Sequence, residues 1–436
     1  MKWVPWIAIC LAPAIASAQV QETTFGDPIT ISSTTPVAVE SIAVSAAGSY
    51  DVALTAHVYA EVTGADGGRY RIGICAGSAS GPQVGSALWR PGDRTPRRSP
   101  YESDTTTITG FDAGVTGPTT YVLCVSKFDS GSPDLTLYPR GLDAVTAPAG
   151  ASLAGSQVTD FDSNVDITTT SGVALASVTV DAGAGSDVLL TAHARLEAAG
   201  LGDGYRYEIT LRRGSALGPL VGRAFWRPAQ SAGTYQADSI AVTAFDEDVT
   251  GPITYFLTGF QFDIGAPDAI ASLRGMHAIV APADTTLFGT QQLTTTPFTV
   301  LGSSSAALAS VTVDAGTEVR LTGQAYLEGS ALGGHRYTLG ICRDDASGPL
   351  VGSAVWRPNT QDTDSSFVGD TVAVTGYDSG LSGPTTYVLC ASDFDGAPPT
   401  VTAYNRGLVA QVPEPDLALG LVAAATLAAL RRRRSG

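Results

Sequence analysis

Three sets of side chains in this chain are spaced so that they could do chemistry. The first is a Trp-Arg pair written three times, Trp89-Arg90, Trp226-Arg227 and Trp356-Arg357, each closing a block of the form Gly-Pro-x-Val-Gly-x-Ala-x-Trp-Arg-Pro. An indole can stack on a sugar ring while the adjacent guanidinium donates hydrogen bonds to its hydroxyls, so these six residues are candidate ligand contacts. The competing reading, and the favoured one, puts the indoles in a core or at a strand edge, because alternation through Val84, Ser86 and Leu88 leaves their facing open. The second set is acidic: Asp112, Asp246 and Asp378 each follow an aromatic residue at one repeated position, with Asp248 beside the second copy. Carboxylate oxygens on loops are the hard ligands that Ca²⁺ takes, which makes these four weak calcium candidates. Asx turns explain the same residues without a metal, and no EF-hand order is present, so the expectation is no cofactor. The third set is His57 and His193, at the same place in two copies of one strand, with Gln324 in the third. A repeated histidine that glutamine can replace reads as packing or polarity rather than as a general base. No Gly-x-Ser-x-Gly elbow, His-Glu-x-x-His motif, phosphate loop or dinucleotide fingerprint occurs in the chain. No catalytic residue is therefore assigned.

Charge narrows the choice of partners. Twenty-five Lys and Arg stand against 41 Asp and Glu, a formal net charge of -16. Such a surface repels phosphate backbones, so nucleic acid is excluded as a partner. Only 15% of residues are charged, while Gly, Ser, Thr, Ala and Val abound, a composition of short strands and turns.

The cysteines supply an internal test. Cys75 and Cys124 lie 49 residues apart, and Cys342 and Cys390 lie 48 apart. In the same register the middle copy has Arg212 and Thr258, so both thiols are absent together. Paired presence and paired absence predict two disulfides, Cys75 with Cys124 and Cys342 with Cys390, tying strands that are not adjacent.

The elements that would position these groups follow from the period. The tryptophans lie 137 and 130 residues apart, a spacing suited to small tandem domains and too long for a solenoid. Within each copy, seven or eight short alternating segments are separated by Gly, Pro, Asp and Ser, with no room for crossover helices. The fold class read from this is all-β: three tandem antiparallel β-sandwich domains, jelly-roll-like or immunoglobulin-like, set in a row on short connections. The expected boundaries are 1–18 for a signal peptide, 19–152, 153–285 and 286–411 for the three sandwiches, and 412–436 for a C-terminal tail.

Both ends carry processing signals. A basic residue, the apolar run 3–15 and Ala16-Ser17-Ala18 have the form of a secretory signal peptide, removed by signal peptidase before Gln19. At the other end, Pro413-Glu414-Pro415 precedes an apolar run and then Arg431, Arg432, Arg433 and Arg434. This order resembles the PEP-CTERM sorting signal of exported bacterial proteins. The resemblance covers Val412 to Arg434 alone. It implies an exosortase-like processing enzyme and delivery to the cell surface or extracellular matrix of a Gram-negative-type bacterium, often alongside exopolysaccharide. One departure is the apolar run of 14 residues, which rises about 21 Å as a helix against a hydrocarbon core of about 30 Å. Transient membrane insertion through the tail is the expectation.

Together these readings describe an exported surface or matrix protein with a structural or interaction role, without catalysis, whose partners are exopolysaccharide or surface proteins. A multivalent carbohydrate-binding protein is the alternative. A secreted polysaccharide-active enzyme, which would need only two suitably spaced carboxylates, stands third.

Overall fold

The structure is a computed structural model that describes residues 16–22, 27–46, 48–63, 68–91, 101–199, 205–228, 235–283, 285–293, 296–300, 305–314, 318–330, 335–357, 367–395 and 400–413. The PEP-CTERM-like tail from Glu414 onward, Arg431 to Arg434 included, lies outside the described residues, as do residues 1–15 of the signal segment.

Every element among the described residues is a strand. The first repeat contains β1 (Ala16–Glu22), β2 (Ile29–Ile31), β3 (Val37–Val44), β4 (Ser49–Thr63), β5 (Tyr70–Ala76), β6 (Gln83–Trp89), β7 (Tyr101–Thr116), β8 (Thr119–Lys127) and β9 (Leu135–Pro148). One sheet has the order β1-β9-β4-β7, with β2 also on β9, and the other the order β3-β8-β5-β6, all antiparallel. A five-stranded and a four-stranded sheet woven in this order form a jelly roll, which decides between the two sandwich types anticipated. Cleavage before Gln19 would leave β1 only its last four residues, Gln19 to Glu22.

The second repeat runs β10 (Leu153–Val158), β11 (Val165–Ile167), β12 (Val173–Ala199), β13 (Tyr207–Arg213), β14 (Leu220–Arg227), β15 (Tyr235–Gln261) and β16 (Ala269–Pro282). Here β12 and β15 each run through what are two strands in the first repeat, with register shifts between Asp181 and Val188 marking the joint. The third repeat restores the separate strands as β17 (Leu287–Gln292), β18 (Phe298–Val300), β19 (Ala306–Val313), β20 (Glu318–Ser330), β21 (Tyr337–Arg343), β22 (Leu350–Trp356), β23 (Phe367–Ser379), β24 (Thr385–Asp393) and β25 (Val401–Gln411). Its sheets β17-β25-β20-β23 and β19-β24-β21-β22 repeat the order of the first.

Burial patterns explain how the repeats sit. On β3, Val39, Ile42 and Val44 face inward, with a β-bulge between Ala38 and Glu40 shifting the alternation, as expected of a sheet with one solvated face. On β4 almost every residue is buried. Leu54, Ala56 and Val58 face the repeat's own core. The opposite face carries Ala53, Thr55, His57 and Tyr59, all buried as well. That second face packs against other repeats: a shared apolar cluster joins Ala53, Val145 and Ala147 of the first to Leu189, Ile279 and Ala281 of the second and Leu287 and Val409 of the third. The repeats therefore close around a common axis instead of standing in a row. An inner sheet with two buried faces needs a partner on each side, and short connections supply it from the same chain.

The glycine inside each Trp block has a packing reason. A Cβ at Gly85 or Gly352 would run into the Thr109 or Thr375 carbonyl oxygen, and one at Gly222 into the Ala244 side chain, so the strand must lie directly on the backbone of its neighbour.

Both disulfides are formed as anticipated, Cys75–Cys124 and Cys342–Cys390, with Cα separations of 6.2 and 6.1 Å. They differ from expectation in joining neighbours in the sheet, β5 with β8 and β21 with β24. The register offsets the cysteines by two residues, and each bond passes over a glycine, Gly73 or Gly340, whose ideal Cβ would lie 3.1 Å from a sulfur. In the second repeat the same space holds a hydroxyl pair, Thr210 with Thr258. Closing loops of 49 and 48 residues constrains the unfolded chain by about 4 kcal/mol each. Reduction is thus expected to lower the melting temperature, and an unchanged melting curve under reductant would contradict it.

Candidate functional site

The Trp-Arg blocks are assembled into contacts, not offered to solvent. Trp89, Trp226 and Trp356 are 3%, 4% and 2% exposed. Each indole packs on the tyrosine opposite it, Tyr70, Tyr207 or Tyr337, with ring centroids 5.6, 5.5 and 5.7 Å apart. The arginines turn outward from the core and reach the next repeat. Arg227 pairs with Glu328, and Arg357 with Glu61, both at 3.2 Å. Arg90 meets the next repeat through its backbone, bridged to Ala237, and β14 extends this contact into strand pairing, Trp226 with Asp370 and Arg227 with Gly369. The ligand-contact assignment is corrected for five of these residues: the indoles are core, and the guanidinium groups of Arg227 and Arg357 join repeats.

The histidines belong to the same contacts. His57 Nε2 donates to the Ser353 carbonyl at 3.2 Å, and Thr375 Oγ1 lies 3.0 Å from Nδ1. His193 repeats this with the Ser86 carbonyl at 3.0 Å and Thr109 Oγ1 at 2.8 Å. Gln324 reproduces it with an amide: its Nε2 donates to the Arg223 carbonyl at 3.2 Å, and its Oε1 accepts from the Thr243 N–H at 2.6 Å. Burial pulls His57 and His193 down to about 4, against the opposing effect of their backbone hydrogen bonds. Both are neutral hydrogen-bonding struts at neutral pH.

Asp112, Asp246 and Asp378 lie in strands β7, β15 and β23 instead of loops, and are committed within their own repeats. Asp112, Asp246 and Asp378 accept from the hydroxyls of Tyr121, Tyr255 and Tyr387 at 2.9, 2.7 and 3.1 Å. Arg213 and Arg343 add charge-assisted bonds to the last two. The weak calcium assignment to Asp112, Asp246 and Asp378 is therefore replaced by a structural one. Each carboxylate anchors a tyrosine of its own sandwich, and the three do not come together.

A different acidic set does converge. Asp104, Asp238 and Asp370, one from each repeat, bring carboxylate oxygens within 4.8 Å of one another. Asp238 and Asp370 are 8% exposed. Each is followed by Thr or Ser, and each carboxylate accepts the N–H of that next residue, Thr105, Ser239 or Thr371. Burial, reinforced by the neighbouring carboxylates, holds Asp104 and Asp370 well above the usual carboxylate range, and burial raises Asp238 too. Three hard oxygen donors of this kind could share protons or hold a divalent cation. Sequence reasoning missed them, although the Asp-Thr, Asp-Ser and Asp-Thr dipeptides recur in phase.

Asp248, the fourth calcium candidate, lines a concavity of about 270 Å³ between the second and third repeats, with Asp187, Phe245, Glu247, Leu287 and Phe288 among its walls. Its backbone has φ 53°, where the other repeats have Gly114 at 65° and Gly380 at 72°. A non-glycine residue in the left-handed region is strained. Asp187 accepts the Asp248 N–H at 3.2 Å and holds the turn. Asp248→Gly is expected to leave the fold intact and raise stability by up to about 1 kcal/mol; a clear loss of stability in a urea melt would show that the carboxylate supports the turn.

No family model matches the chain, and no curated protein does. Among solved structures the chain is similar, over 30% of its length, to the Eiger TNF of S. frugiperda (10% identity, 94% of that chain, TM-score 0.21). Over the same share it is similar to the carbohydrate-binding module CsCBM6-3 of Clostridium stercorarium (17% identity, 93% of that chain, TM-score 0.14) and to a β-1,3-glucan-binding CBM6 of Bacillus halodurans (15% identity, 85% of that chain, TM-score 0.14).

Proposed function

We propose that this chain is an exported structural or interaction protein of the cell surface or extracellular matrix, with no catalytic activity. The observation that carries this reading is where the reactive side chains go. His57, His193, Arg227 and Arg357 are all spent on contacts between repeats, and Asp112, Asp246 and Asp378 on contacts within them. The product is a set of repeats packed on one another, with an internal disulfide in the first and in the third. Such a product suits an oxidising compartment, and the terminal signals suit export.

Mass and location test it. The native protein should be found at the surface or outside the cell, begin at Gln19, end near Pro413, and gain about 4 Da on reduction, two hydrogens for each disulfide. A full-length inner-membrane species keeping Arg431 to Arg434 would overturn it.

The carbohydrate-binding alternative moves from the tryptophans to the concavity at Asp248, where Phe245 and Phe288 stand beside Asp187 and Glu247. Aromatic faces next to carboxylate acceptors are what a sugar needs. On this reading soluble glucans should bind with an affinity that Phe288→Ala abolishes, while the emission of the buried tryptophans stays unchanged. Calorimetric titration showing no heat at millimolar saccharide would remove it.

A further inference from the structure

The three repeat–repeat contacts share one frame. Each docks a Trp strand of one repeat on the His or Gln strand of the next: Ser86 on His193, Arg223 on Gln324, Ser353 on His57. The chemistry of this frame is the same each time, so the frame alone does not say which repeat should follow which. Nearer the axis the contacts differ. The same position holds Ala53, Leu189 and Arg320, the residues immediately C-terminal to Val52, Val188 and Val319 in the three inner strands β4, β12 and β20. A second position holds Asp143, His277 and Val409, and a third Val145, Ile279 and Gln411, in β9, β16 and β25. Where the third repeat meets the first, the Arg320 guanidinium donates through Nε to Asp143 Oδ1 at 2.5 Å and also bonds Gln411. All three side chains are buried, at 6%, 2% and 2% exposure. The second-to-third contact has Leu189, Ile279 and Val409 at these places, all in the shared apolar cluster.

We propose that the buried Arg320–Asp143–Gln411 contact is a key that fixes the cyclic order of the repeats and closes the third onto the first. At these nine positions the one cation, Arg320, meets the one carboxylate, Asp143, in the observed order. In the opposite order Arg320 would face His277, and Asp143 would face Leu189, leaving two buried charges unpaired. Breaking a buried pair in this way is far more costly than replacing it with apolar residues, and fixing register is the best-attested use of such pairs. The ordinary apolar contact between the second and third repeats carries no such preference. Discrimination comes from the penalty on the wrong arrangement, not from extra strength in the right one.

The test erases the key and reads the order. Arg320→Leu, Asp143→Val and Gln411→Ile together rewrite this contact in the residues of the second-to-third contact. Order is read with cysteine pairs at the rim, bridged by a short bismaleimide after refolding with the native disulfides intact. Glu61→Cys with Arg357→Cys reports the third repeat closing on the first, because those side chains pair in the observed order. Glu61→Cys with Arg227→Cys reports the reverse order. In the parent chain only the first pair should bridge; in the erased chain both should, with a several-fold rise of the second. Bridging confined to the first pair at unchanged yield in the erased chain would overturn the proposal. Should the erased chain fail to fold, the charge-swapped variant Arg320→Asp/Asp143→Arg carries the test: retained order supports the key, and bridging of both pairs overturns it. Asp143→Val alone, which strands Arg320, is expected to lower the melting temperature by several degrees, and no drop would equally overturn it.

Discussion

Acidification from neutral pH toward pH 4 should destabilise the protein steeply, and the variant His57→Gln/His193→Gln should resist it. Both histidines are fully enclosed between repeats, and burial lowers each from 6.5 to about 4; His277, buried nearby, is lowered likewise. The unfolded chain therefore binds protons from about pH 6.5 downward while the folded chain does not. Their contribution is full above the unfolded value and is lost as pH falls through the window from 6.5 to about 4. A shift of this size is worth about 3 kcal/mol for each histidine at the acid end. Glutamine is the substitution of choice because the third repeat already uses it: Gln324 donates to a carbonyl and accepts an N–H in the same place. Stability at pH 7 should change little, and the acid limb of a urea-midpoint-against-pH curve should flatten. Equal acid sensitivity in the variant would mean that the imidazoles are already solvated and that the repeats do not close tightly on them.

The repeat architecture was plain in the chain because its signals are local. The Trp blocks, the Gly-Pro turns and the two-residue alternation of segments such as β3 depend on neighbours a few positions away. The cysteine pairing was legible for the same reason, since a missing pair in one repeat is an internal control. What the chain hid was the second face of the inner sheets. On β4 the alternation leaves Ala53, Thr55, His57 and Tyr59 on the face away from the repeat's own core, and only the presence of other repeats buries them. Of the two readings open for the histidines, packing or polarity, the burial of that face selects packing, as struts between repeats. The ambiguity of the tryptophans had a different root: an indole followed by Arg-Pro at the end of a strand suits either face, and the tyrosine opposite it on the neighbouring strand decides. The acidic convergence was the hardest case. Asp104, Asp238 and Asp370 repeat in phase, but nothing in one dimension says that phase-equivalent residues meet at an axis.

That convergence yields the second large effect, opposite in sign to the first. Asp370→Asn is expected to stabilise the protein at pH 7 to 8. Two ionised carboxylates 4.8 Å apart repel by about 3 kcal/mol at an effective dielectric constant of 20, and three such groups make three pairs. The folded chain answers by holding protons there, which is why burial and mutual repulsion lift Asp104 and Asp370 well above 3.8. A carboxylate raised in the folded state binds more protons folded than unfolded, so its contribution is full below about pH 3.8 and is lost as pH rises through the folded value. Arg195 offsets part of this for Asp238. The histidines and the aspartates thus pull stability in opposite directions as pH rises from 4 to 6.5. Removing His57 and His193 should weaken the rise with pH, His277 keeping its share, and adding Asp370→Asn should lessen the opposing fall. Melting curves at pH 5 to 9, each with EDTA and with millimolar Ca²⁺, separate the two ways of neutralising the cluster. Protons alone predict that neither addition moves the parent protein. A drop with EDTA that Ca²⁺ reverses would assign the neutralisation to a metal, and Asp370→Asn should then destabilise instead. A variant less stable than the parent at pH 8 under both conditions would show that the three carboxylates are neither crowded nor charged in the way their geometry requires.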